Sequence, residues 1–167
     1  VLHWQGVGGY TYSEASADCS GLADALFTQA YSTNFRTWMG CSRPIAQTWY
    51  NNIVAGNHFT QINSILDILA GDILVVSYNC SNPSCSSGGT NCSKSGHVMI
   101  ASSVPVLRNA TSPTVAGTSQ WEMWVIDSAS SPHDVADTRY LAVSSTESDT
   151  GVGEGMIRLY TNSNNQI

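Results

Sequence analysis

Residues 18–27 read DCSGLADALF, and they mark the point at which loop-like sequence gives way to a helical pattern. Apolar residues then recur at steps of three and four, the period of an amphipathic helix, at Leu22, Ala25, Leu26 and Ala30. A second short helix is predicted over PIAQTWYNNI (44–53), because proline suits the first turn of a helix. The stretch QINSILDILA (61–70) fits either a short helix or an extended segment. The first part of the chain is therefore predicted to be helical.

The rest of the chain has the pattern of β-strands. Short runs rich in β-branched and other apolar residues alternate with turn residues, at GDILVVSY (71–78), GHVMIASS (96–103), WEMWVIDSA (121–129), RYLAVSS (139–145) and GMIRLYTN (155–162). Helices followed by strands indicate an α+β fold. We expect N-terminal helices packed on a mainly antiparallel sheet of about five strands.

Length and charge limit the possible functions. The chain has 167 residues, which fits one domain over 1–167 with a sizeable core. Charged residues make up 11% of the chain, the formal net charge is −6, and Lys94 is the single lysine. Because a basic stripe is missing, we expect no binding to nucleic acid or to an anionic membrane surface. No apolar run is long enough to cross a membrane, and we expect a monomer.

The cysteines divide by their sequence context. Four lie in loop-like sequence and are expected to form two disulfides, with three connectivities open, among Cys41, Cys80, Cys85 and Cys92. Disulfides predict an oxidising compartment, so we expect a secreted or periplasmic protein. Zinc is the rival use of these thiols, with His97 as a further ligand, but their spacings lack the paired two-residue motifs of zinc sites. We therefore expect no metal.

The remaining cysteine, Cys19, stands where the first helix begins. The N-terminus of a helix carries about half a positive charge, which favours a thiolate. Its free N–H groups can also hold a developing oxyanion, and Gly21 lets a substrate come close. The segment therefore suits a nucleophile. The alternative is a small buried cysteine that starts a core helix.

A nucleophilic thiol needs a base, and His97 is the preferred candidate among four histidines. It begins an apolar strand, where a strand-borne imidazole can meet a helix-borne cysteine. Asp127 follows the apolar part of the next long strand, and it can orient His97 if the two strands are adjacent and antiparallel. The alternative for Asp127 is to initiate a turn. His133 competes for the orienting role, but it follows the strand in turn-like sequence.

Four motifs, taken in order, resemble those of a known family. DCSGL at the start of a helix, GDILVV, GHVMIA and VIDSA are similar to the motifs of the NlpC-type family of papain-like cysteine peptidases, which cut bacterial cell-wall peptides. The resemblance covers about residues 6–130. It implies a papain-like fold with Cys19 as nucleophile and His97 as base. Asp127 stands where the family places its third polar residue, more often a histidine, asparagine or glutamine.

The resemblance also implies substrate-binding residues. Asp18 and Ser20 occupy positions that, in relatives, help to bind a free amine of the substrate. The family commonly has a tyrosine shortly before a Gly-Gly pair, whereas HWQGV precedes the pair at 8–9 here. We assign the role of that tyrosine to Trp4, with Tyr10 and Tyr12 as alternatives.

Together, the residues and the resemblance predict a cysteine peptidase or amidase. Its expected substrate is an amide bond in peptidoglycan stem peptides, or in another peptide or amide, and no cofactor is expected. An acyltransferase, or a hydrolase of other amides or thioesters on the same fold, is the first alternative. The second is a non-catalytic wall-binding module, in which Cys19 would be unreactive or disulfide-bonded.

Overall fold

The computed structural model describes residues 18–32, 34–78, 95–141 and 150–167. The helices in these ranges are α1 (Cys19–Tyr31), α2 (Asn34–Met39), α3 (Ala46–Val54), the short 3-10 helix η1 (Ile65–Asp67) and α4 (Thr138–Leu141). The strands are β1 (Ile73–Ser77), β2 (Gly96–Ala101), β3 (Val106–Leu107), β4 (Ser119–Ala129) and β5 (Gly151–Thr161). None of the described helices has the length and the apolar character needed to cross a membrane.

The five strands form one antiparallel sheet, in which β4 has the most neighbours. Strand β5 pairs with all 11 residues of β4. Two strands pair elsewhere along β4, since β3 lies opposite residues 121–122 and β2 lies opposite residues 125–126. Strand β1 pairs with β2. The predicted α+β class, with N-terminal helices and a mainly antiparallel sheet of about five strands, is confirmed, while the papain-like assignment stays a prediction.

Three segments differ from the sequence prediction or complete it. Residues 34–39 form a helix that the apolar pattern does not predict, and residues 61–70 contain η1. The strand predicted over 139–145 is wrong at its start, because Thr138–Leu141 form α4. The carboxylate of Asp137 accepts the backbone N–H of Arg139, which begins a helical turn there.

The apolar core packs against both faces of the sheet. One cluster joins the helices to the sheet and includes Trp49, which is fully buried, and Val98 of β2. A second cluster includes Met99 of β2 and Val125 of β4, together with residues of and around η1. Successive residues of a strand point to opposite faces, so neighbouring positions of β2 belong to different clusters. Packing on both sides therefore fixes β2 and, with it, the backbone of His97.

Strands β1 and β2 come very close at Gly96, immediately before His97. Gly96 has a φ of +137°, and a Cβ at this position would lie 1.8 Å from the carbonyl oxygen of Val76. Glycine is therefore required here by both conformation and space. Because His97 pairs with Val76 in the β1–β2 ladder, this close approach helps to set where the imidazole leaves the sheet.

Candidate active site

Cys19 lies at the first residue of α1, and its neighbours build the cap of this helix. The carboxylate of Asp18 accepts the backbone N–H of Gly21 at 2.7 Å and the hydroxyl of Ser20 at 3.0 Å. The first of these bonds satisfies a helix N–H that has no partner within the helix. Cys19 itself is a free cysteine and is half-buried. The structure thus places a free thiol at a capped helix N-terminus.

Asp18 and Ser20, which the resemblance assigns to substrate binding, both take part in this cap. Asp18 is exposed, whereas Ser20 is buried with 6% of its surface accessible. A substrate can therefore reach the Asp18 side chain, while the Ser20 hydroxyl faces the cap. The substrate-binding role of both residues stays a prediction.

Replacing Asp18 by alanine is expected to lower the free energy of unfolding by about 1 kcal/mol, because the N-cap bond to Gly21 is lost. Urea unfolding measures the change. Asp18→Asn is the matched control, since asparagine caps a helix as well as aspartate does and should restore most of the stability. An equal loss in both variants would attribute the stabilisation to the carboxylate charge and not to the cap.

His97 contacts both other members of the predicted triad. Its Nε2 is hydrogen-bonded to Oδ2 of Asp127, and the Cys19 side chain lies close enough to the ring to raise the pKa of His97. An imidazole has two ring nitrogens, so with Nε2 on Asp127 the nitrogen left for the thiol is Nδ1. The His97 side chain is 22% exposed. The His97 imidazole therefore lies between the Cys19 thiol and the Asp127 carboxylate.

Asp127 reaches His97 because β2 and β4 are adjacent and antiparallel, the condition that the sequence argument set. Ile126, its neighbour in β4, lies opposite Ile100 of β2. The Asp127 side chain is completely buried. A buried carboxylate must be matched by donors or positive charge, and this one receives both.

A second imidazole contacts the same oxygen of Asp127. Nε2 of His133 lies 2.8 Å from Oδ2 of Asp127, and the rings of His97 and His133 are 6.2 Å apart. In the sequence, His133 lies in the turn after the strand, and His97 is the preferred base. The structure brings both histidines to Asp127, and among the described residues the contact with Cys19 is made by His97.

A buried arginine holds the other oxygen of Asp127. Nη1 of Arg139 lies 2.9 Å from Oδ1 of Asp127, and the Arg139 side chain is 3% exposed. The guanidinium also donates to Asp137. Neither Arg139 nor Asp137 is among the residues that the sequence predicts for the site. The available signal was a concentration of ionisable residues at 133–139 in a chain with 11% charged residues.

These contacts set the protonation states of His97 and Asp127. The hydrogen bond with Asp127, and then the interaction with Cys19, raise the pKa of His97 to about 9 against the effect of its burial. Burial alone would raise the pKa of Asp127. Hydrogen bonds from His133 and His97 and the charge of Arg139 outweigh burial and hold the Asp127 pKa below its ordinary value. At neutral pH, His97 is therefore protonated and Asp127 ionised.

His97, Asp127 and His133 are also residue types that bind metal ions, and their ligand atoms lie within 4.8 Å of one another. Both Nε2 atoms, however, contact Oδ2 of Asp127 directly, and Oδ1 faces the positive charge of Arg139. An ion would have to separate atoms that are already hydrogen-bonded. The arrangement therefore favours a hydrogen-bonded network over a metal centre.

A cavity of about 270 Å³ adjoins His133. It is lined by Arg108, His133, Asp134, Met156, Ile157 and Arg158. Neither Cys19 nor His97 lines it, so this cavity is not the space in which the thiol would meet a substrate.

Several predicted residues lie outside the described ranges, namely Trp4, Cys80, Cys85 and Cys92. Cys41 is buried and disulfide-bonded, which agrees with its predicted role. The connectivity and the second disulfide stay predictions, as does the role of Trp4.

Comparisons with known proteins do not assign a family. No protein-family model and no solved structure matches the chain. The chain is 31% identical over 153 residues to the uncharacterized protein R653 of Acanthamoeba polyphaga mimivirus. The match covers 87% of this chain and 63% of the viral protein, so the chain spans less than two thirds of the length of that relative. The resemblance to NlpC-type peptidases therefore stays a prediction.

Proposed function

We propose that the protein is a cysteine peptidase or amidase in which Cys19, His97 and Asp127 form a catalytic triad. The observation that carries this proposal is the position of His97 between the Asp127 carboxylate and the Cys19 thiol. A carboxylate on one ring nitrogen fixes the tautomer and the direction of an imidazole, and the other nitrogen then serves the nucleophile.

The resting form in this proposal is a thiolate–imidazolium pair. The proton of the Cys19 thiol moves to Nδ1 of His97, and Asp127 stays ionised beside Nε2–H. Two features favour the thiolate: the positive charge of the imidazolium and the N-terminus of α1. The thiolate, and not the thiol, is the form that acts as the nucleophile.

Acyl transfer then proceeds in two steps. The thiolate attacks the amide carbonyl carbon, a C–S bond forms, and the carbonyl electron pair moves onto oxygen. The backbone N–H of Cys19 donates to this oxyanion, because the first residue of α1 has no N–H partner within the helix. His97 protonates the amine as the C–N bond breaks. A water that gives its proton to His97 then hydrolyses the thioester and frees the thiol.

For the substrate, we propose an amide in bacterial peptidoglycan stem peptides, on the strength of the motif resemblance. Asp18 is exposed next to Cys19, and a carboxylate there suits a free ammonium group of such a peptide. A secreted or periplasmic location belongs to the same proposal and agrees with the disulfide at Cys41. The chemistry needs one chain and no cofactor.

Purified peptidoglycan and a panel of amide and thioester donors test the proposal. We expect new free amines from peptidoglycan, and an acyl adduct that peptide mapping by mass spectrometry assigns to Cys19. Iodoacetamide should label Cys19 rapidly at neutral pH and stop amine release. Release that persists after complete labelling of Cys19 would contradict the proposal. Adducts from thioesters without amine release would favour the acyltransferase alternative, and an unreactive Cys19 the wall-binding module.

A further inference from the structure

The Asp127 carboxylate is held by a second layer of residues that the proposed chemistry does not use. Arg139, 3% exposed, places Nη1 at 2.9 Å from Oδ1 of Asp127. Two further bonds clamp the guanidinium to the fully buried Asp137, from Nε to Oδ1 at 2.9 Å and from Nη2 to Oδ2 at 2.7 Å. Such paired guanidinium–carboxylate bonds fix direction as well as charge.

Asp137 is fixed in turn by the backbone around it. Its Oδ1 accepts the N–H of Arg139 at 2.8 Å, and its Oδ2 accepts the N–H of His133 at 2.9 Å. Nη1 of Arg139 also donates to the carbonyl oxygen of Gly151, at the start of β5, at 3.1 Å. The guanidinium of Arg139 is therefore held both by the segment 133–139 and by strand β5.

Strand β5 makes room for this pair by omitting side chains. A Cβ on Gly153, which lies opposite Asp127 in the β4–β5 ladder, would come within 2.6 Å of Nε of Arg139. A Cβ on Gly155 would come within 2.2 Å of Oδ2 of Asp137. Neither glycine has a positive φ, so space and not backbone conformation requires the missing side chains.

We propose that Arg139 is a positioning residue that, together with Asp137, fixes the Asp127 carboxylate in the orientation that aligns His97 with Cys19. Arg139 takes Oδ1 of Asp127 and leaves Oδ2 to the two imidazoles. A carboxylate without this anchor can rotate, and His97 then loses its direction. The catalytic consequence rests on the proposed function, whereas the alignment can be measured without a substrate.

Two variants that keep every charge test the proposal. Arg139→Lys retains the cation but loses the planar fork that binds Asp127 and Asp137 together. Gly155→Ala alters no charged group and displaces Oδ2 of Asp137, while its Cβ would also lie 3.1 Å from Cβ of His133. Among the described residues, the other titratable or charged group next to His97 is Cys19, and those next to Asp127 are His133 and Arg139.

In both variants, the titration midpoint of His97, followed by NMR, should fall from about 9 towards the ordinary histidine value of 6.5. On an amide substrate, kcat should fall roughly 10- to 100-fold with little change in KM, since small misplacements of catalytic groups have effects of that size.

Arg36→Lys is the matched control, because Arg36 makes a partly exposed pair with Asp24 at 3.6 Å. It should leave the His97 titration unchanged. An unchanged His97 titration in either folded test variant would overturn the proposal, so one variant that folds is sufficient. A shifted titration in a protein that hydrolyses no amide would support the positioning role while contradicting the proposed function.

Discussion

Replacing His97 by glutamine is expected to lower kcat by about 10³- to 10⁴-fold, the range seen when a general base or its tautomer is lost. Glutamine can still hydrogen-bond Asp127, but it cannot take the thiol proton or return it to a leaving amine. Cys19 should also lose rapid alkylation at neutral pH, because the positive partner of its thiolate is gone. Steady-state kinetics and iodoacetamide labelling measure the two effects.

His133→Gln is the matched control for this prediction. His133 contacts the same oxygen of Asp127 as His97 does, and both side chains are 22% exposed. Its replacement should lower kcat much less, because Asp127 keeps its bonds to His97 and Arg139. If His133→Gln were as damaging as His97→Gln, or more so, the assignment of His97 as the base would be wrong.

Because the pKa of His97 is raised, both the stability of the protein and its kcat should depend on pH. In the unfolded chain His97 titrates near 6.5, and in the folded protein its pKa is about 9. A proton held more tightly in the folded state stabilises it fully below pH 6.5, and this contribution is lost as pH rises through about 9. The imidazolium that protonates the leaving amine disappears over the same range. Wild-type kcat should therefore fall above about pH 9, and His97→Gln should lack this limb.

Replacing Asp127 by alanine is expected to lower the free energy of unfolding by about 3 to 5 kcal/mol, because one partner of a buried ion pair is removed. Arg139 would keep Asp137 but lose the bond to Asp127, and both imidazoles would lose their acceptor. Urea unfolding at neutral pH measures the loss. The same variant should also lose most catalytic activity, since nothing then fixes the tautomer of His97.

Asp24→Ala is the matched control for stability, since Asp24 forms a partly exposed pair with Arg36 at 3.6 Å. A pair of this kind contributes less than about 1 kcal/mol. The pH dependence separates the two sites further. Because the pKa of Asp127 is lowered in the folded state, its contribution is present above pH 3.8 and is lost as pH falls below that value. Equal losses for the two alanine variants would contradict a buried ionised Asp127.

Local patterns in the sequence were sufficient for most of the fold. The apolar period after Asp18 and the proline before Ala46 mark two helices that the structure contains. Strands β1 and β2 lie within the predicted runs, whereas β4 and β5 overlap the runs at 121–129 and 155–162 but begin before them. The short helix at 34–39 lacks a clear period, because six residues form fewer than two turns.

The sequence predicts a site residue where the helix or strand that carries the residue is itself predicted. Cys19 and His97 stand at the starts of a helix and a strand, and Asp127 follows from antiparallel pairing. His133, Asp137 and Arg139 come from a connecting segment, and their positions depend on which buried groups they can satisfy. Composition and period do not encode that choice, because it depends on which buried groups the folded chain brings next to this segment.

The place of Asp127 in the most connected strand determines which part of the triad can move. Strand β4 is bonded to β2, β3 and β5, so it opens only when several neighbours separate. Cys19, in contrast, is the first residue of a helix, and helix ends fray before sheet centres do. Local opening at the start of α1 should therefore change the distance between the Cys19 sulfur and His97, while His97 keeps its place in the sheet. Asp127 is then the least mobile member of the triad and Cys19 the most mobile.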